Sequence, residues 1–354
     1  MLIRPIGTSR SRLARMAFRP WVAVVVALRQ NPDVVHFHDP ELVPLGLLIR
    51  LVPPWRPRVI YDVHEDLPRQ LSAKTWIPSR LRPVLARWLD RLEPWSAKHF
   101  DLVVAASEPI AQRFGGSNTV VIRNLPRWGD FAGRTPTDQF GAPPQRTTEA
   151  GEDGREGCVM VYTGVLAPER GTKEMVEAIG RCDSALGIRL VLAGPADPGE
   201  IDAVKLLPGW SRTAYLGVVS PDDLPQLLEG ARAGLVLQHP MQHYLEGYPT
   251  KLFEYMAAGL PVIASNFPLW RPIVEGIECG LMVDPLDPDA IAAAMTWLVT
   301  HPAEADSMGR RGRDAVRIAY TWETQATVLV ERYDQLLGIA ASSGNADPRS
   351  GLSR

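Results

Sequence analysis

Residues 245–265 read Leu-Glu-Gly-Tyr-Pro-Thr-Lys-Leu-Phe-Glu-Tyr-Met-Ala-Ala-Gly-Leu-Pro-Val-Ile-Ala-Ser. The pattern is loop, helix, turn and buried strand. Leu252, Phe253, Met256 and Ala257 fall at helical spacing on one face. Pro249 suits a helix start, where a missing N–H costs nothing. Gly259 and Pro261 stop the helix, and Val262-Ile263-Ala264 is a buried-strand run. Glu246 precedes the helix, and Glu254 sits one turn in, on the same face as Thr250. Lys251 lies between the two acids. A helix N-terminus attracts anions. A cation beside it, with an acid on each side, fits a ligand with a central phosphate and hydroxyl-bearing sugars at both ends.

The same alternation of strand and helix extends in both directions. Cys158–Thr163 reads as a strand, Gly164–Gly171 as a turn and Thr172–Cys182 as a helix. That is the phosphate-cradling order in general form, without the G-x-G-x-x-G or G-x-x-x-x-G-K-S/T spacing, and neither pattern occurs in the chain. Arg170 is placed to reach a phosphate, or is a solvated surface charge. Further strands are expected at 189–193, 213–217, 234–238 and 281–284. Ser220 is expected to cap a helix from Asp222. Helices are expected at 288–298, 302–318 and 321–338. The tail, 339–354, has the composition of a disordered segment.

Upstream, strands are expected at 33–39, 58–64, 101–106 and 119–123, with helices at 42–51, 79–98 and 109–114 between them. Strands alternating with helices form a doubly wound parallel sheet, which binds ligands outside the carboxyl ends of its strands. His36, His38, Asp39, His64, Glu65, Asp66, Ser107 and Asn124 all fall there. His64, flanked by acids, stands out among them. His38-Asp39 and His64-Glu65-Asp66 are also suitable metal ligands. Neither offers H-x-x-x-H spacing, and strand-end loops hold such residues for hydrogen bonding too, so no metal is expected. Residues 131–157 are polar, rich in Gly and Pro and without periodicity, which marks a linker. The domains are therefore drawn at 1–130 and 158–338.

The 354 residues are enough for two domains, and 45% hydrophobic with 22% charged residues is a globular composition. Residues 1–100 hold 16 Lys and Arg against 8 Asp and Glu, and the remainder 22 against 32. A basic first half fits an anionic membrane surface, a lipid phosphate or nucleic acid, or is a solvated basic face. Cys158, Cys182 and Cys279 show no pairing or metal spacing, and so few fit a reducing cytosol. Arg4, Arg10, Arg12, Arg15 and Arg19 followed by Trp21–Leu28 imitate a signal peptide. The apolar run is too short to span a bilayer and no small-residue cleavage site follows, so a helix is expected.

Together these residues resemble the GT-B, family 4 glycosyltransferases. Glu246 and Glu254 with seven residues between them, together with Pro-Thr-Lys-Leu-Phe-Glu-Tyr-Met-Ala-Ala-Gly-Leu-Pro-Val-Ile-Ala-Ser, resemble their donor-site signature. So do Gly164 with Glu169-Arg170-Gly171, the Leu-Gly-Val-Val-Ser segment from 216 and Tyr320-Thr-Trp-Glu323. The first half resembles a branch with His-Phe-His-Asp-Pro-Glu and Tyr-Asp-Val-His-Glu-Asp. The resemblance implies two Rossmann-like parallel-sheet domains facing across a cleft, and retaining transfer without a metal or other cofactor. The donor is a UDP- or GDP-linked sugar. Glu254 would bind the ribose; Glu246, Gly247 and Tyr248 would face the transferred sugar. Arg170 and Lys251, near Gly164 and Thr250, would hold the diphosphate, and Gly217 to Val219 would pack on the base. His64 would act on the sugar from the first domain, with His38, Asp39, Glu65 and Asp66 on the acceptor side. A glycan or lipid-linked acceptor is expected, with no nucleic acid; the sparse cysteines fit the cytoplasm, and the basic first domain fits either the inner face of a membrane or solvent.

Two departures stand out. Val165 occupies a position where family members carry Arg. The chain also opens at Met-Leu-Ile-Arg-Pro-Ile, which resembles a strand two or three units into the family's first domain. A truncated first domain with an exposed sheet edge and weak or no transfer activity is the expectation.

Overall fold

The computed structural model describes residues 21–339, apart from 23–24, 27–28, 39, 52–56, 65, 72–76 and 133–157. The chain forms two compact units, one of residues 1–123 with 325–354 and the other of residues 124–324.

In the first unit, β1 (Val34–Phe37), β2 (Arg58–Val63), β3 (Leu102–Ala105) and β4 (Thr119–Val121) pair in parallel in the order 1-2-3-4. The helices between them include α1 (Val43–Leu51), α2 (Arg82–Ala97) and α3 (Glu108–Phe114). Strand side chains alternate between faces. Phe37, Val59, Tyr61, Val63, Val103 and Ala105 join Leu45, Ile49, Ala97 and Phe114 in one core. His36, Ile60 and Asp62 belong to the other parity. Tyr61 Oη donates to buried Glu93 at 2.8 Å, and Arg113 donates to the other oxygen of Glu93 at 2.7 Å.

In the second unit, β5 (Val159–Thr163), β6 (Arg189–Ala193), β7 (Thr213–Tyr215), β8 (Ala233–Val236), β9 (Val262–Ser265) and β10 (Gly280–Val283) form a sheet in the order 10-9-8-5-6-7. Every pairing is parallel. Order reverses at β5, whose neighbours are β6 and β8, so β5 is the topological switch point where such sheets bind ligands. The flanking helices include α4 (Thr172–Arg181), α5 (Thr250–Ala257), α6 (Pro288–Thr300) and α7 (Pro302–Ala319). Leu252, Phe253, Tyr255, Met256 and Ala257 put α5 in the core. The strands are buried throughout in β5, β8 and β9, as parallel sheets covered on both faces require.

The last helix, α8 (Trp322–Leu337), corrects the expected domain boundary. It was expected inside the second domain, yet from Gln325 on it belongs to the first unit. Gln325 Oε1 accepts from the Arg123 backbone N–H at 2.9 Å, and Tyr333 Oη meets His36 Nδ1 at 2.5 Å. Ser220 also differs from expectation. Its Oγ accepts from Asp222 N–H, while the helix starts only at Leu224, where Pro225 presets the first turn. The expected opening strand and the tail lie outside the described residues, as does nearly all of the expected linker. No helix among the described residues is long and apolar enough to cross a membrane.

Candidate functional site

Strands β5, β6 and β7 end side by side in Gly164, Gly194 and Gly217, with φ of +136°, +139° and +68°. The Gly164 N–H donates to Ala193 C=O at 2.8 Å and the Gly194 N–H to Gly217 C=O at 2.7 Å. A Cβ on Gly194 would collide with the Gly164 carbonyl, and one on Gly164 would lie 2.5 Å from Lys251 Nζ. Only glycine lets the backbone close so tightly around the lysine head.

Lys251, the second residue of α5, is 8% exposed. Its Nζ lies 3.8 Å from the centroid of the Tyr162 ring and has no hydrogen-bond acceptor. Burial pushes its pKa down to about 7, with the nearby Arg170 charge adding to the shift and Glu254 opposing it. Arg170 stacks over the Tyr244 ring at 4.8 Å. No side chain caps the start of α5, so its first N–H groups add to the positive field. Thr250 Oγ1 donates to Asn124 C=O at 3.3 Å. Glu254, one turn further, is partly buried, and burial raises its carboxyl pKa against the pull of Lys251.

The loop before α5 is held from beneath. Fully buried Trp270 donates its Nε1–H to Gly247 C=O at 2.8 Å, and Glu246 accepts from Gln242 Nε2 at 2.5 Å. Tyr248 packs 6.1 Å from Phe253. At the Gly217 turn, Val219 packs against the core while Val218 is 76% exposed. Val165 is half-exposed. The structure thus brings together Gly164, the cations Arg170 and Lys251, and Glu254.

The first unit gathers a different set. His36 and His38 sit two apart at the end of β1, and Asp62 and His64 two apart at the end of β2. Register pairs His36 with Ile60 and Phe37 with Tyr61, which brings His38 level with Asp62. Asp62 Oδ2 lies 3.3 Å from His36 Nε2, 3.0 Å from His38 Nδ1 and 3.3 Å from His64 Nε2. Burial pushes the Asp62 carboxyl up, but the close approach of the His36 and His64 imidazoles, and their charge, outweigh it and hold it well below the usual carboxylate range. The three imidazoles stack in the order His36, His38, His64, with centroids 4.9 and 5.3 Å apart.

Asp66 is not part of this set. It pairs with Arg113 at 3.4 Å, and that guanidinium also meets Asp90 and Glu93. Asp39 and Glu65 lie outside the described residues. Sequence reasoning missed Asp62, Tyr333, Tyr162, Gly194 and Trp270 as contributors. For Asp62 a signal existed, because Asp62 and His64 share strand parity.

A family model described as "Glycosyl transferases group 1" matches residues 150–315, and one described as "Glycosyl transferase 4-like domain" matches residues 2–124. Glycogen synthase of Mycobacterium tuberculosis (strain H37Rv) is 26% identical over 332 residues, 91% of this chain and 72% of that protein. D-rhamnosyltransferase WbpZ of Pseudomonas aeruginosa is 25% identical over 298 residues, covering 83% of this chain and 71% of the relative. Among solved structures, sucrose-phosphate synthase from Thermosynechococcus elongatus has a TM-score of 0.69 at 19% identity, over 94% of this chain and 81% of that one. Anabaena Alr3699/HepE in complex with UDP-glucose has a TM-score of 0.66 at 17% identity, over 92% and 84%. These structures share the fold.

Proposed function

We propose that this chain, which belongs to the GT-B glycosyl transferases of group 1, family 4, moves a sugar from a UDP- or GDP-linked donor to a glycan or lipid-linked acceptor with retention. The observation that carries the donor is Lys251, a buried ammonium without an acceptor, enclosed by the Gly164 backbone at the switch point of the sheet. A diphosphate there supplies the missing acceptors. Lys251, Arg170 and the N-terminus of α5 stabilise the charge that grows on the leaving nucleoside diphosphate. Glu254 accepts from the ribose hydroxyls, Glu246 and the Gly247–Tyr248 backbone face the sugar, and His64 takes the role the resemblance gives it. The leaving diphosphate receives the acceptor's proton. Relatives described as GDP-mannose-dependent and a neighbour solved with UDP-glucose support both bases as candidates. Calorimetry with UDP and GDP, then transfer from radiolabelled UDP-glucose and GDP-mannose, tests the reading. Nucleotide binding without transfer to any glycan or lipid extract would favour a binding-only member, the alternative that Val165 supports. No binding of either nucleotide would sink both.

A membrane-borne acceptor in cell-surface polysaccharide or glycolipid synthesis has its support on α2. Trp88 and Trp95 are 57% and 52% exposed, in line with exposed Leu81 and Val84 and flanked by exposed Arg87, Arg91 and Lys98. Aromatic and basic side chains on one open helix suit an anionic lipid interface. Co-sedimentation with phosphatidylglycerol vesicles should exceed that with phosphatidylcholine and fall in Trp88→Glu/Trp95→Glu. Equal sedimentation with both lipids removes the membrane from the proposal.

A further inference from the structure

We propose that His36, His38 and Asp62 form a binding site for a divalent transition-metal ion of the zinc class on the first unit. One nitrogen from each imidazole and one carboxylate oxygen lie within 4.8 Å of one another. The two imidazole–carboxylate separations, 3.3 and 3.0 Å, match the edges of a coordination polyhedron with metal–ligand bonds of about 2.0–2.1 Å.

Hydrogen bonding alone accounts poorly for the arrangement. His38 Nδ1 faces both Asp62 Oδ2 at 3.0 Å and His64 Nε2 at 3.1 Å. A proton on His38 Nδ1 can at best be divided between the carboxylate and His64 in one three-centre bond, which weakens both. If His64 Nε2 carries its own proton toward Asp62, two N–H groups confront each other. His36 Nε2 is buried and reaches no partner with hydrogen-bond geometry. A cation turns these converging lone pairs from a conflict into a ligand set. Its other nitrogen, Nδ1, meets the Tyr333 hydroxyl at 2.5 Å. An oxygen acceptor behind a ligating imidazole is the outer-shell contact that fixes its tautomer and ring plane. In that state His36 Nδ1–H donates to Tyr333 Oη and Nε2 presents its lone pair.

Strand geometry explains why the ligands converge. His36 and His38 project from the same side of β1, and Asp62 projects from the same side of its neighbour β2. Two imidazoles and a carboxylate suit Zn²⁺ and related first-row ions rather than Ca²⁺ or Mg²⁺. Three protein ligands leave a position for water or for an oxygen of an incoming molecule.

The test is equilibrium dialysis of the EDTA-treated, tag-free full chain against Zn²⁺, with Co²⁺ absorption in the visible as a second readout. One equivalent should bind. His38→Gln should weaken it at least about 100-fold and abolish the Co²⁺ bands, and Tyr333→Phe should weaken it by about 10-fold. His99→Ala, remote from the cluster, should change nothing. The His38 side chain is 58% exposed, so His38→Gln keeps the fold even where Asp62→Asn does not. No bound equivalent, or binding unaltered by His38→Gln, overturns the site. Loss of donor binding is a separate result, because Lys251 and Glu254 take no part in this one.

Discussion

The two sheets end in opposite kinds of chemistry. At the carboxyl edge of β5 to β7, three glycines clear a space and one buried ammonium points into it without an acceptor. At the carboxyl edge of β1 and β2, one carboxylate is ringed by three imidazoles. The first edge is electrostatically incomplete and gains most from an anion. The second has its anion built in, so it favours cations and neutral hydroxyl groups. The same position in the same kind of sheet therefore states only where a ligand binds. The side chains brought there decide its charge.

Lys251→Met strains that contrast hardest. Transfer kcat/KM should fall about 10³-fold, as when a donor aimed at developing charge is lost, while Tm rises, because an unpaired buried ammonium opposes folding. A fall in Tm would mean that the protein already satisfies the ammonium, and the contrast would be lost. His64→Ala should lower kcat about 10²-fold with donor Kd unchanged; an intact kcat would remove His64 from the reaction. Acidity comes next. The Lys251 pKa is about 7 in the folded chain against an ordinary 10.5. Below pH 7 both states are protonated and the burial penalty is complete. Between 7 and 10.5 the unfolded chain holds more protons, so this group makes stability rise with pH. Thermal melts from pH 6 to 9.5 should show a rise that Lys251→Met lacks. Over the same range donor affinity should fall by up to about tenfold per unit, as the free ammonium deprotonates. The mildest effect is Glu254→Ala, which should raise donor KM about tenfold, within the ~1–3 kcal/mol of lost ribose hydrogen bonds. Unchanged donor affinity would reassign Glu254.

How much of this is legible in the sequence follows from the same contrast. The donor edge is written largely in one run, because Glu246, Lys251 and Glu254 share a loop and the helix it enters, and helical spacing is a local signal. Gly194 escapes notice because a glycine before Pro195 reads as an ordinary strand stop. The imidazole edge needs two strands to pair in one register, which no local pattern specifies. Tyr333 is harder still, 297 residues from the imidazole it touches. Four-residue helices such as Leu67–Gln70, Trp128–Phe131 and Gln242–Leu245 are too short to show a period. Strand cores such as Arg189–Ala193 and Val262–Ser265 are plain, since their β-branched and aliphatic runs have one reading between breakers.

The return of α8 bears on how the protein is made. The unit whose strands come first in the chain also includes the last described helix. The contacts of Arg123 with Gln325 and of His36 with Tyr333 tie the first unit to a helix made after the second unit, so they form only once that helix has emerged. Through most of synthesis the histidine-bearing strands lack their final contact. A nascent chain stalled before residue 325 should carry a settled donor unit and an unsettled partner.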